Sequence, residues 1–254
     1  MRALPGQSCS LVLLLSACSF VGATGEVGFT RIGVAGDVAL ASATGGVQPS
    51  SYQGLDTSLG LGSELGSPHV RGQLDLGNTV LTGSAFMLSE DGDGTLAKTF
   101  GPLSTGTTVR SRLELTEAKV SITHDFDLGL VKVSPGLGLD ALDLRVSARE
   151  SAFGNEGSID QLLPLPMLFC RAEGDVGLAT VVAEVGYLDM PDLGGARFTL
   201  LDLEALLEFN LLPTVHLFAG YRMIDLDGYG EADGSSFALD LVVDGWTIGG
   251  GIRF

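Results

Sequence analysis

Polar and apolar residues alternate along most of this chain with a period of two. In HVRGQLDLG (69–77), Arg71, Gln73 and Asp75 alternate with Val70, Gly72, Leu74 and Leu76. In LLDLEALLEF (200–209), Asp202, Glu204 and Glu208 fall on one face, and Leu201, Leu203, Ala205, Leu207 and Phe209 on the other. Helices repeat every 3.6 residues and strands every two, so these stretches are strands. The pattern predicts ten of them, near 26–41, 68–76, 79–90, 106–125, 129–149, 158–173, 177–190, 196–210, 213–227 and 235–254. Most exceed the ~5–6 residues usual in globular domains, and several exceed the ~9–11 that cross a bilayer at a tilt.

The connections alternate in character. GN (77–78), FDL (126–128), EGDV (173–176) and NLLPT (210–214) are short, whereas 42–67, 91–105, 150–157, 191–195 and 228–234 are longer and polar. Short turns on one side and long loops on the other predict an all-β, antiparallel up-and-down transmembrane β-barrel of about ten strands, with eight or twelve left open. Ten strands also bring both termini to one side. Asp244-Gly245 then reads as a bulge, because apolar residues fall on odd positions before it (Leu239, Leu241, Val243) and on even ones after it (Trp246, Ile248, Ile252, Phe254). Pro164 and Pro166 each remove a ladder donor, which predicts a rim or bulge for them. A soluble β-sandwich also alternates, with its polar face outward, and stands as the competing fold.

Composition sharpens the choice. The chain is 45% hydrophobic yet carries 31 acidic residues against 14 basic ones, so apolar and charged surfaces must be segregated. Residues 1–23 have the order of a secretory signal peptide: Arg2, an apolar run from Leu11 to Ala23, and small residues at its end. Two cleavage readings compete, one after Ala23 and one at Cys18, where LSAC resembles a lipobox and Cys18 would be lipidated. The first leaves residues 24–254 as one domain with 13 basic residues against 31 acidic ones, a net charge of −18. Such a chain repels nucleic acid. No stretch after residue 24 has the 18 consecutive apolar residues of a membrane-spanning helix. Cys170 reads as a small apolar residue in a packed or lipid-facing position.

The final strand carries a motif. In TIGGGIRF, Thr247 is polar, Gly249 follows two residues later, Ile252 is apolar and Phe254 is a terminal aromatic. This resembles the C-terminal recognition signal of bacterial outer-membrane β-barrels, and the whole region after the signal resembles small barrels of the OmpA, OmpW and OmpX kind. FAGYRMIDLDG (218–228) is similar to the penultimate strand of many such proteins. The resemblance implies delivery to the barrel-assembly machinery, contact with outer-membrane lipids and lipopolysaccharide, and location in the outer membrane. It implies no activity. Trp246, Ile248, Ile252 and Phe254 are expected to face lipid, with Thr247 and Arg253 pointing inward.

With the apolar face outward, the lumen should hold Arg31, Asp37, Arg71, Gln73, Asp75, Lys132, Arg171, Glu184, Asp202, Glu204, Glu208, His216, Arg222 and Arg253. A turn centred on Leu212 sets Glu208 opposite His216 and Asp202 opposite Arg222, making Asp202, Glu204, Glu208, His216 and Arg222 a charge network that plugs the interior. The histidines are His69, His124 and His216, and none sits in a nucleophile motif, so no catalytic site is expected. SEDGDG (89–94) and DLDGYGEADG (225–234) resemble calcium loops without the full ligand pattern, and no metal or cofactor is assigned. In loop 42–67, Leu55, Leu59, Leu61 and Leu65 could form an amphipathic turn lying on the barrel mouth or folding into it. The expected role is structural or surface-interacting, for a monomer. A narrow porin-like channel is the alternative, and a periplasmic sandwich lipoprotein anchored at Cys18 the second.

Overall fold

The structure is a computed structural model that describes residues 21–42, 51–193, 195–232 and 234–254. Twelve strands form one antiparallel sheet: β1 (Val21–Ser42), β2 (Gln53–Gly54), β3 (Leu65–Leu76), β4 (Thr79–Thr95), β5 (Thr108–His124), β6 (Phe126–Asp127), β7 (Val131–Glu150), β8 (Glu156–Asp175), β9 (Ala179–Leu193), β10 (Ala196–Leu212), β11 (Val215–Ala232) and β12 (Ser235–Arg253). The ten long strands are the staves of a ring, with two-residue β2 on β1 and β6 on β7. The ring closes where β1 pairs with β12, from Thr24 opposite Arg253 to Ser42 opposite Ser235. A sheet that closes on itself is a barrel, and the sandwich alternative is overturned. Cys18 and residues 1–20 of the signal lie outside the described residues, whereas Val21–Ala23 pair with β3, and Ala23 exchanges backbone hydrogen bonds with Phe254 (2.8 and 3.3 Å).

The barrel has two storeys of opposite polarity. In the lower half of β10, Leu203 and Phe209 are exposed outward while Asp202, Glu204 and Glu208 are buried inside. Toward the top the sense inverts: Phe198 and Leu200 turn inward, and Arg197 lies exposed outside. β5 repeats this. Val120 and Ile122 face out below with Glu117 and Lys119 inside, whereas above them Leu113 and Leu115 face in, with Arg110, Arg112 and Glu114 outside. From Leu201 to Leu211 the outward face is apolar, and ten residues rising ~3.3 Å each at a ~40° tilt give a belt about 25 Å tall, the height of a bilayer core. Strands of 17 to 22 residues such as β10 and β1 are therefore about twice as long as the belt requires.

This inversion corrects the reading of Asp244-Gly245. Pairing of β12 with β1 and with β11 runs through both residues without a shift. Leu239, Leu241 and Val243 point into the upper storey, and Trp246, Ile248 and Ile252 point out of the lower one. The change of apolar parity is a change of storey. SEDGDG and most of DLDGYGEADG are likewise strand, in β4 and β11, rather than loops. Asp91 and Asp93 pair with Arg112 (3.3 Å) and Arg110 (3.6 Å) on the outer surface. β9 extends to Leu193 and β11 to Ala232, so two of the connections expected to be long are cut to two residues each between strands.

The upper wall has two gaps. β3 pairs with β4 only from His69 downward, and loop 53–64 fills the space above. Its Leu55, Leu59 and Leu61 are fully or almost fully buried and Leu65 packs against the same core, so the loop folds into the barrel. Glu90 anchors it by accepting hydrogen bonds from the backbone N–H groups of Gly62 (2.9 Å) and Ser63 (2.8 Å) and from the Ser63 hydroxyl. Gly60, at φ +69°, and Gly92 let the two backbones touch, since a Cβ on Gly92 would lie 2.3 Å from the Gly60 carbonyl oxygen. The second gap lies between β8 and β9, which pair only from Leu168 to Asp175. Pro164 and Pro166 sit mid-strand on this free edge, opposite Ala141 and Leu139 of β7. They are at neither rim nor bulge: the ladder has ended on one side of β8, and no donor is missed there.

Candidate functional site

The interior of the lower storey is a charge cluster assembled from strands all round the ring. Arg71 of β3 reaches Glu184 of β9, Glu204 of β10 (3.0 Å) and Glu26 of β1 (3.8 Å). Lys119 of β5 lies 2.8 Å from Asp202 and 3.5 Å from both Glu184 and Glu204. Arg222 of β11 binds Glu117 of β5 (2.6 Å) and Asp202 (3.0 Å). Arg171 of β8 donates to Gln73 and to Glu173 (3.1 Å). These arginines and Lys119 are buried, and so are the acids they hold apart from Glu173. Charges taken this far from water are tolerated because most of them face more than one partner, and deleting one would strand others.

The expected network is thus present, with a different register. The β10–β11 turn is Pro213-Thr214, with Leu212 opposite Val215, so Glu204 rather than Asp202 lies directly across from Arg222. Asp202 still meets Arg222 diagonally. His216 lies opposite Asn210 and bonds Glu26, Nε2 to Oε1 at 2.8 Å, instead of sitting opposite Glu208. Arg71, Gln73, Asp75, Arg171, Glu184 and His216 all face the lumen. Two other lumen predictions need correction, and two more hold only at the lower edge of the lumen. Arg31 points outward and pairs with Glu64. Asp37 lies opposite Asp240 on the outer face of the upper storey, where burial and then Asp227, Asp240 and Asp37 push the Tyr52 phenol up. Lys132 sits at the lower rim beside Asp125 (3.3 Å), and Arg253 at the lower mouth against Glu208 (3.0 Å), both with side chains 42% exposed. Sequence reasoning missed Glu26, His69, Glu117, Lys119 and Asp140. For Glu117 and Lys119 the signal was present, since both alternate with Ala118, Val120 and Ile122.

Above the charges the interior is apolar. The Lys119 ammonium lies 5.6 Å from the Phe169 ring centre and the Arg222 guanidinium 5.5 Å from that of Phe86, so these rings form the floor of the upper storey. Higher up, Leu144, Ile159, Leu200, Ile224 and Leu239 are almost completely buried. β8 also touches β1 and β11. Loop 96–107 closes over this core with Leu96, Phe100 and Leu103, tied down by a hydrogen bond from the Gly101 N–H to the Leu40 carbonyl (2.9 Å). A small cavity lined by Thr30, His69, Phe86, Arg222 and Thr247 marks the boundary between storeys.

The terminal motif has a physical reading. Trp246 (68%), Ile248 (64%) and Phe254 (79%) are exposed on the belt. Thr247 points inward and shares a hydrogen bond with Thr30 (2.9 Å). A Cβ on Gly249 would lie 2.4 Å from the Val27 carbonyl oxygen and 2.5 Å from the Phe218 ring, so this position accepts only glycine if Phe218 is to pack inside. His124 is exposed at the lower rim, edge-on to Phe126, and His69 and His216 are buried in the lumen. None of the three histidines reaches the outer mouth.

No protein-family model and no curated protein matches this sequence. Solved structures do. The outer membrane protease OmpT of Escherichia coli is 9% identical, with 92% of this chain aligned to 97% of that one at a TM-score of 0.55. Ail, the attachment invasion locus protein of Yersinia pestis, is 14% identical over 92% of this chain and 99% of its own at 0.40. The outer membrane protein AlkL is 12% identical over 100% and 96% at 0.39. The likeness is one of fold, and the fold is the outer-membrane β-barrel.

Proposed function

We propose that this chain is an integral protein of the bacterial outer membrane that acts as a structural or surface-interacting barrel and does not conduct solutes. The apolar belt sits in the bilayer, with lipid and lipopolysaccharide as its surroundings. The short turns face the periplasm, and the upper storey stands above the membrane at the cell surface. The barrel-assembly machinery reads the last strand through Thr247, Gly249, Ile252 and Phe254, and the barrel is monomeric. One observation carries the non-conducting role. The charge cluster is capped by an apolar storey whose side chains are buried against one another, and loops 53–64 and 96–107 are built into that core. An ion leaving the polar lower lumen would have to enter a hydrocarbon-like plug, at a cost of several kcal/mol.

A narrow channel for small solutes is the competing reading, supported by the polar lower lumen. Purified, folded protein in a planar bilayer distinguishes the two. The expected record shows no discrete conductance steps, and reproducible steps that disappear with unfolded protein would establish the channel instead.

A further inference from the structure

At the periplasmic end of the lumen three residues with ligand-type atoms meet. Glu26 of β1, Glu208 of β10 and His216 of β11 are all buried, and one ligand-type atom from each lies within 4.8 Å of the others. Glu26 uses Oε1 for His216, while its Oε2 is buried without a hydrogen-bond partner, as is Nδ1 of His216. The nearest cation to Glu26 Oε2 is the Arg71 Nε, 3.8 Å away and beyond hydrogen-bond reach. Across the lower lumen, seven buried carboxylates (Glu26, Glu117, Asp140, Glu184, Asp202, Glu204, Glu208) face four buried cations (Arg71, Lys119, Arg171, Arg222) and Arg253 at the mouth, a formal excess of two negative charges. A buried carboxylate without full compensation is neutralised by a proton or by a bound cation.

The local backbone makes room for the His216 and Glu26 side chains. Gly251 of β12 faces this cluster, and a Cβ there would lie 2.5 Å from His216 Cε1 and Nε2 and 2.8 Å from Glu26 Cγ. Its position in the Gly249–Gly251 run is outside the four residues of the terminal motif, so the packing of this site gives it a separate reason to be glycine. Glu208 is held by Arg253, which enters from the rim at 3.0 Å and steadies the carboxylate from outside.

We propose that Glu26, Glu208 and His216 form a divalent transition-metal site that opens to the periplasm. Two carboxylates and a neutral imidazole suit a borderline ion such as zinc, manganese, iron(II) or cobalt, and their two negative charges balance it. Metal bonds of about 2.0–2.2 Å require a modest contraction of the trio, which glutamate side-chain rotation supplies. With three protein ligands, water completes the coordination.

The test uses the full folded barrel in detergent, stripped with chelator, with Co2+ as an optical probe and Zn2+ as the calorimetric titrant. One equivalent of Co2+ should bind and give visible absorption bands displaced by Zn2+. Glu208→Gln and His216→Ala should each weaken Zn2+ binding at least tenfold while keeping the heat-dependent gel mobility of a closed barrel. Asp93→Asn, which alters an outer acid far from the trio, should leave binding unchanged. Absence of stoichiometric binding would overturn the proposal, and so would binding that survives in folded Glu208→Gln. If His216→Ala does not fold, the isosteric Glu208→Gln decides alone.

Discussion

Arg222 shows how much one side chain holds in the lumen. Its guanidinium joins β11 to β5 through Glu117 and to β10 through Asp202, and its flat face covers Phe86 of β4. Replacing it with alanine leaves buried Glu117 without its ion-pair partner and Asp202 with Lys119 alone, a loss of about 3–5 kcal/mol by analogy with other broken buried pairs. Arg222→Ala should therefore lower the melting temperature of the barrel in a heat-modifiability series. An unchanged melting temperature would contradict the pairing. At this scale much of the interior was legible. Asp202, Glu204, Glu208, His216 and Arg222 follow from alternation alone, because any inward polar position in a lipid-facing strand reveals itself against apolar neighbours. Exact partners were not legible. A turn displaced by one residue moves every cross-strand pair by two, which placed Glu204 instead of Asp202 across from Arg222.

At the scale of elements, β12 records both storeys in its sequence. The apolar residues switch from odd to even positions between Val243 and Trp246, and the register through Gly245 is unbroken. Period-two alternation says that two faces differ but not which is inside. A parity switch within one strand therefore has two readings, a bulge or an exchange of environments, and only the neighbours' register separates them. Loop 53–64 was harder to place because no periodicity governs it. Its leucines fold inward because β3 stops short and leaves apolar core to cover. Glu90→Ala removes the acceptor for two backbone N–H groups and one hydroxyl, bonds worth about 1.5–3 kcal/mol each when the acceptor is charged. Thermolysin should then cut within residues 53–64 of the folded variant several times faster than in the parent. Equal cleavage rates would mean that Glu90 does not fasten the loop.

The whole molecule combines two solvents on one set of strands. The lower storey turns hydrocarbon out and charge in, and the upper storey does the reverse, as a water-soluble β protein would. This resolves the composition. A chain that is 45% hydrophobic with 31 acidic residues can place its apolar side chains both on the belt and in the upper core, and its carboxylates both in the lumen and on the upper outer surface. The proposed seal between lumen and exterior would follow from the same inversion, since the apolar faces that would meet lipid below meet each other above.

The most direct test is a labelling scan along the outward face of β12, on a Cys170→Ser background that removes the free cysteine among the described residues. Single cysteines at Asp240, Asp244, Trp246, Ile248 and Ile252 would carry nitroxide labels in protein reconstituted into bilayers. The two-storey account predicts high accessibility to a water-soluble relaxation agent at Asp240 and Asp244, and high accessibility to oxygen at Trp246, Ile248 and Ile252. Lipid-like accessibility at all five positions, or water-like accessibility at all five, would contradict it.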